Sequence, residues 1–111
     1  MPLTVQNIIY EFTKEMRKIF GTNLSTVIVY GSYARGDYNE NSDVDVMILV
    51  KIPEEQIPDY IDEVSDCAFE YLMKYGVDIS PVLKNENHFK YWEETLPYYR
   101  NVRKEGVVIR D

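Results

Sequence analysis

Apolar residues recur at Val5, Ile8, Ile9, Phe12, Met16, Ile19 and Phe20, the spacing of one helix face. Thr4 suits its N-cap and Gly21 its stop. Residues 25–30 are β-branched and aromatic and predict a strand. Residues 31–42 are rich in turn formers, with a short helix expected from Ser32 to Gly36. Residues 43–51 are apolar on both faces for most of their length, which predicts a buried strand. A second amphipathic stretch spans about 54–75, with Ile57, Tyr60, Ile61, Val64, Ala68, Tyr71, Leu72 and Tyr75 on one side. Pro58 is tolerated only in a first turn, so this helix starts at 54 or at Pro58 itself, and Gly76 caps it. Residues 77–83 predict a third strand, where Pro81 marks an edge or an end. Short helices over about 86–94 and 96–104 and an extended piece at 107–109 complete the chain. The order α-β-(α)-β-α-β-α predicts an α/β or α+β fold, a small mixed sheet backed by helices.

Chemistry concentrates between the first two strands. Gly31-Ser32 ends one; ten residues later Asp43-Val44-Asp45 opens the next. Residues two apart on a strand share a face, so Asp43 and Asp45 point the same way while Val44 and Val46 enter the core. Two carboxylates on one face repel unless a cation lies between them, and hard oxygen ligands beside phosphate favour Mg²⁺, or Mn²⁺ in its place. Asp78 stands between Val77 and Ile79 near the start of the third strand, where an unpaired carboxylate is costly. If that strand neighbours the second, Asp78 completes a triad able to hold two metals. Gly31 permits close approach of backbone to phosphate, and Ser32 offers a hydroxyl and, at a helix start, free N–H groups. Arg35 serves either a phosphate or a neighbouring carboxylate, and Ser42 suits a local hydrogen bond fixing the turn into the strand; with Gly31 and Ser32 they make up the expected nucleotide-binding set. A lone Gly-Ser or Asp-x-Asp is weak; their combination, with a strand on each side and a later Asp, is a specific signal for a nucleotide–metal site.

The length of 111 residues fits one domain, 1–111. Twelve Lys and Arg against nineteen Asp and Glu leave a formal charge of −7, which disfavours nucleic acid as a partner. The lone Cys67, the lack of a membrane-length apolar run and the absence of a signal-peptide pattern over 1–20 lead to the expectation of a cytoplasmic protein. His88 reads as a surface or interface residue, and Phe89 and Trp92 as anchors for the C-terminal helix. The ten tyrosines, several near the C-terminus, make the last helices a candidate interface for a homo-oligomer or a hetero-complex.

At these residues the chain resembles the minimal nucleotidyltransferases of the DNA polymerase β-like superfamily. Their pattern, Gly-Ser-x-Ala-Arg-Gly, five residues, then Ser-Asp-x-Asp, is met at every position by residues 31–36 and 42–45, and their later strand carboxylate matches Asp78. Residues 97–102 and 105–108 resemble the family's tail less specifically. The resemblance implies a nucleotidyltransferase fold with Asp43, Asp45 and Asp78 as catalytic metal ligands, Asp78 also activating the acceptor hydroxyl. It implies ATP as substrate, bound through Gly31 and Ser32, with loss of pyrophosphate. Small members resemble antitoxins that move AMP onto a tyrosine of a HEPN-domain toxin. Two rival readings remain: a non-catalytic antitoxin that neutralises its partner by occlusion, and nucleotidyl transfer to a small molecule.

Overall fold

The computed structural model describes residues 1–111. Helix α1 (Leu3–Phe20) leads through a 3₁₀ turn into strand β1 (Leu24–Tyr30), and the short helix α2 (Ser32–Arg35) follows. Strand β2 (Val44–Val50), helix α3 (Pro58–Tyr75) and strand β3 (Ile79–Asn85) form a crossover unit. Helices α4 (Glu86–Trp92) and α5 (Pro97–Glu105) and strand β4 (Val107–Ile109) end the chain. Every predicted element is present, with shifted boundaries. Pro58 begins α3 and residues 54–56 form a separate 3₁₀ turn, because proline lacks the N–H that a helix interior needs. β3 starts at Ile79 rather than 77, so Asp78 precedes the strand and is exposed rather than standing within an apolar run. β2 starts at Val44, leaving Asp43 just ahead of it.

The four strands lie in the order β3-β2-β1-β4. β1 pairs antiparallel with β2 and with β4, whereas β3 runs parallel to β2, so the sheet is mixed. A parallel neighbour requires a crossover, and α3 supplies it. Pro81 is accommodated because β3 is an edge strand.

Strand alternation divides the core in two. Val27 and Val29 of β1, with Val44, Val46, Ile48 and Val50 of β2, meet α1 and α3 through Ile9, Phe12, Met16, Val64 and Ala68. Ile28, Tyr30, Met47 and Leu49 face the other way, against Phe89, Tyr99 and Val102 of α4 and α5. Gly106 lets α5 close on the sheet: a Cβ there would collide with Ile28 Cγ2 and the Val102 carbonyl. No helix is long and apolar enough to cross a membrane.

One side chain ties the second layer to the β2 end. Asn85 Oδ1 accepts the His88 N–H at 3.0 Å as N-cap of α4, and its Nδ2 donates to the Ile52 carbonyl at 2.8 Å. Asn85→Ala removes both bonds and is expected to cost about 1–2 kcal/mol, read as a lower urea midpoint with an unchanged m-value.

Candidate active site

The sequence-predicted residues converge at one end of the sheet. β1 and β2 are paired so that Tyr30 lies opposite Asp45, and β3 places Ser80 beside Asp45. Alternation sends Val44 and Val46 into the α1–α3 core, so Asp43 and Asp45 belong to the face that carries α4 and α5. The Val44 N–H donates to the Asp78 carbonyl at 2.8 Å, which locks the start of β3 beside the Asp-x-Asp segment. Along the strand ends the order is therefore Asp78, then Asp43 and Asp45, then the Gly31–Ser32 turn.

Gly31 has φ 73° and ψ −152°, a conformation in which a side chain is strained. It also leaves no room for one, because a Cβ would fall on Asp45 Oδ2. The turn and the carboxylate are thus in direct contact through a missing side chain. Ser32 begins α2, and Gly36 ends it, its N–H donating to the Ser32 carbonyl at 2.9 Å. Tyr33 and Tyr38 stack with centroids 4.4 Å apart and rings within 4° of parallel, pinning the loop that joins α2 to β2. Ser42 accepts the Asn39 N–H on its hydroxyl at 2.9 Å and donates its own N–H to the Asn39 carbonyl at 3.0 Å. This is the local bond expected of it, and it holds the approach to Asp43.

Arg35 pairs with neighbouring carboxylates, one of the two roles expected of it. Its Nε donates to Asp37 at 3.2 Å, and its Nη1 donates to both oxygens of Glu105 at 3.2 and 3.3 Å. Glu105 also accepts the Gly31 N–H at 3.1 Å. This carboxylate at the end of α5 was missed in the sequence, as were Tyr98 and Asn101. All three lie on one face of α5 and border, with Gly31, Ser32 and Asp45, a cavity of about 360 Å³. Positions i, i+3 and i+7 are the signal that marks them, but a nine-residue helix with exposed polar residues gives no reason to aim that face at a site. His88 instead pairs with Glu54 at 2.7 Å, Phe89 is buried, and Trp92 packs on the second core.

The charges are arranged against themselves. Burial raises the Asp45 carboxyl above its ordinary value, the charge of Asp43 raises it further, and Arg35 only partly offsets this. Asp78 is raised by desolvation and by the nearby Asp43 carboxylate. Two ionised carboxylates this close repel, and a divalent cation between them relieves that. The donor set is all carboxylate oxygen, the chemistry that suits Mg²⁺ or Mn²⁺. No group of three or more His, Cys, Asp or Glu side chains is placed to hold a metal ion by itself. An open edge of carboxylates fits Mg²⁺, which keeps positions for water and phosphate oxygens.

A raised carboxyl favours the folded state when protonated, and that contribution is lost as pH rises through the folded value. Without divalent cation, the melting advantage of Asp78→Asn over the natural chain should therefore grow from about pH 4 to about pH 7, and saturating Mg²⁺ should shrink it. Thermal melts at both pH values check this.

A mixed sheet with carboxylates on one strand end and a Gly-Ser turn on the next defines a nucleotidyltransferase. The family model described as a nucleotidyltransferase domain matches residues 9–109, and the chain belongs to that family. Among its relatives are two proteins of Methanocaldococcus jannaschii, each named a putative protein adenylyltransferase. One is 33% identical over 104 residues, covering 94% of this chain and 96% of its own. The other is 42% identical over 85 residues, covering 73% and 80%. The fold is shared with a crystal structure described as a putative nucleotidyltransferase from Sulfolobus solfataricus, at TM-score 0.63 and 24% identity over 93% of this chain and 77% of that one. It is shared also with a chain of a toxin–antitoxin structure with AMP-PNP, at TM-score 0.52 and 14% identity over 89% and 70%.

Proposed function

We propose that residues 1–111 form one nucleotidyltransferase unit that moves AMP from ATP to a hydroxyl, a tyrosine in the first instance, of a partner protein. The observation that carries this reading is the single edge on which Asp78, Asp43 and Asp45 face the Gly31–Ser32 turn. Asp43, Asp45 and Asp78 would hold Mg²⁺, which when bound neutralises the triphosphate and steadies charge on the transferred phosphoryl group. Gly31 and Ser32 receive phosphate oxygens at the turn, where no side chain intervenes. Arg35 and Ser42 keep that turn and the approach to Asp43 in shape. The acceptor hydroxyl enters beside Asp78, whose carboxylate takes its proton. The acceptor oxygen bonds to the α-phosphorus, the bond from that phosphorus to the β-phosphate oxygen breaks, and pyrophosphate leaves.

A protein acceptor is favoured by the balance of −7, which repels a nucleic acid backbone, and by the names of the relatives. The fold shared with a chain of a toxin–antitoxin structure supports the role of antitoxin, and the family resemblance implies a HEPN-domain toxin as the partner. The experiment is incubation with α-labelled ATP, Mg²⁺ and the protein encoded beside this chain. Label should appear on a tyrosine of that protein, with one pyrophosphate released per AMP. Neutralisation of the partner with no label and no pyrophosphate would overturn transfer in favour of occlusion.

A further inference from the structure

The strand order separates two sides of the site. Asp78 lies on the β3 side and is exposed, whereas α5 packs over β1 and walls the side beside the Gly31–Ser32 turn. The wall carries an aromatic ring and an amide. Tyr98 is 45% exposed, yet its hydroxyl is held by that of Tyr30 at 2.6 Å, and its ring meets Tyr30 edge-on with centroids 5.9 Å apart. It is an accessible ring fixed at its far end, the property a stacking surface needs. Asn101, one turn further along, is exposed and lines the same cavity. Glu105, one turn beyond that, bonds the Gly31 N–H and Arg35, so the wall and the phosphate turn are mechanically one piece.

We propose that α5 is the nucleoside-recognition wall of this enzyme, with the Tyr98 ring stacking on the base and the Asn101 amide reading an adenine edge. An amide presents one donor and one acceptor, which match the adjacent acceptor and amino donor of adenine. Guanine presents two adjacent acceptors at N7 and O6, one of which the amide oxygen would repel. The inference rests on the reading of the Gly31–Asp45 edge as an ATP site, and it adds which residues choose the base.

Calorimetric titration with non-hydrolysable ATP and GTP analogues and with tripolyphosphate, all in Mg²⁺, tests it without requiring transfer. The natural chain should prefer the ATP analogue by roughly tenfold. Asn101→Ala should erase that preference. Tyr98→Ala should weaken both analogues by roughly tenfold, and Tyr98→Phe, which keeps the ring, should restore most of the loss. Tripolyphosphate, which has no base, should bind all variants alike. Equal binding of both analogues by the natural chain, an unchanged preference in Asn101→Ala, or a parallel loss for tripolyphosphate would each overturn the proposal. Asn101 is exposed, so its variant carries the test even if Tyr98→Ala fails to fold. Base-selective binding without any labelling of the partner would sink the proposed transfer and leave this inference standing.

Discussion

Asp45→Asn is expected to lower nucleotidyl transfer by roughly 10³-fold or more while raising the melting temperature of the metal-free protein. Both effects come from the same placement. Asp45 is half-buried on β2, opposite Tyr30, with Asp43 close by and Glu105 across the Gly31 turn. Burial and these like charges raise its carboxyl, so the fold resists the ionised form that a metal requires. The sign follows from linkage. A raised folded value stabilises the native state while the group is protonated, and the benefit is gone once pH exceeds that value. At neutral pH the carboxylate is therefore a cost, and an amide of the same shape removes it. The same amide carries no charge to offer a cation. Two measurements separate the effects: transfer assayed with labelled ATP, and thermal melts with and without Mg²⁺. Mg²⁺ should raise the melting temperature of the natural chain clearly more than that of Asp45→Asn. A variant that melts lower than the natural chain without metal would show that Asp45 is structural.

Gly31→Ala is expected to cost about 1–3 kcal/mol of stability and roughly 10²-fold in transfer. The residue is buried, its φ is 73°, and its missing Cβ points at Asp45 Oδ2. Added methyl and carboxylate cannot share that space, so the turn must lift or Asp45 must rotate away. Either movement separates the phosphate turn from the carboxylates. Gly36→Ala is the control, since φ there is also positive, at 88°, but a Cβ meets nothing within 4 Å. It should show the backbone cost without the loss of transfer. If both variants lose transfer equally, backbone strain rather than the contact with Asp45 is responsible.

Much of the architecture was legible because it rests on local periodicity. The 3.6-residue repeat from Val5 to Phe20 became α1, and the apolar runs on either side of residues 31–43 became β1 and β2. Proline placed two features correctly: Pro58 opens α3, and Pro81 sits on an edge strand. The start of β3 was read two residues early, because Val77 is apolar and nothing local shows that pairing with β2 begins only at Ile79. The grouping of Asp43 with Asp45 followed from strand alternation. Their proximity to Asp78 depends on β3 lying beside β2, which the parallel pairing provides.

The chain by itself determined the chemistry on offer: carboxylates two residues apart, a glycine at the end of the preceding strand, and an acidic balance of −7. Those properties depend on residue type and on spacing within one strand or turn, which short-range geometry enforces. Tertiary structure alone decided what surrounds them. Glu105 reaches Gly31 and Arg35 across 74 and 70 positions of sequence, and Tyr98 reaches Tyr30 across 68. No period in the chain encodes such contacts. They exist because Ile28, Tyr30, Met47 and Leu49 present an apolar sheet face that Phe89, Tyr99 and Val102 must cover, and covering it swings one face of α5 against the site.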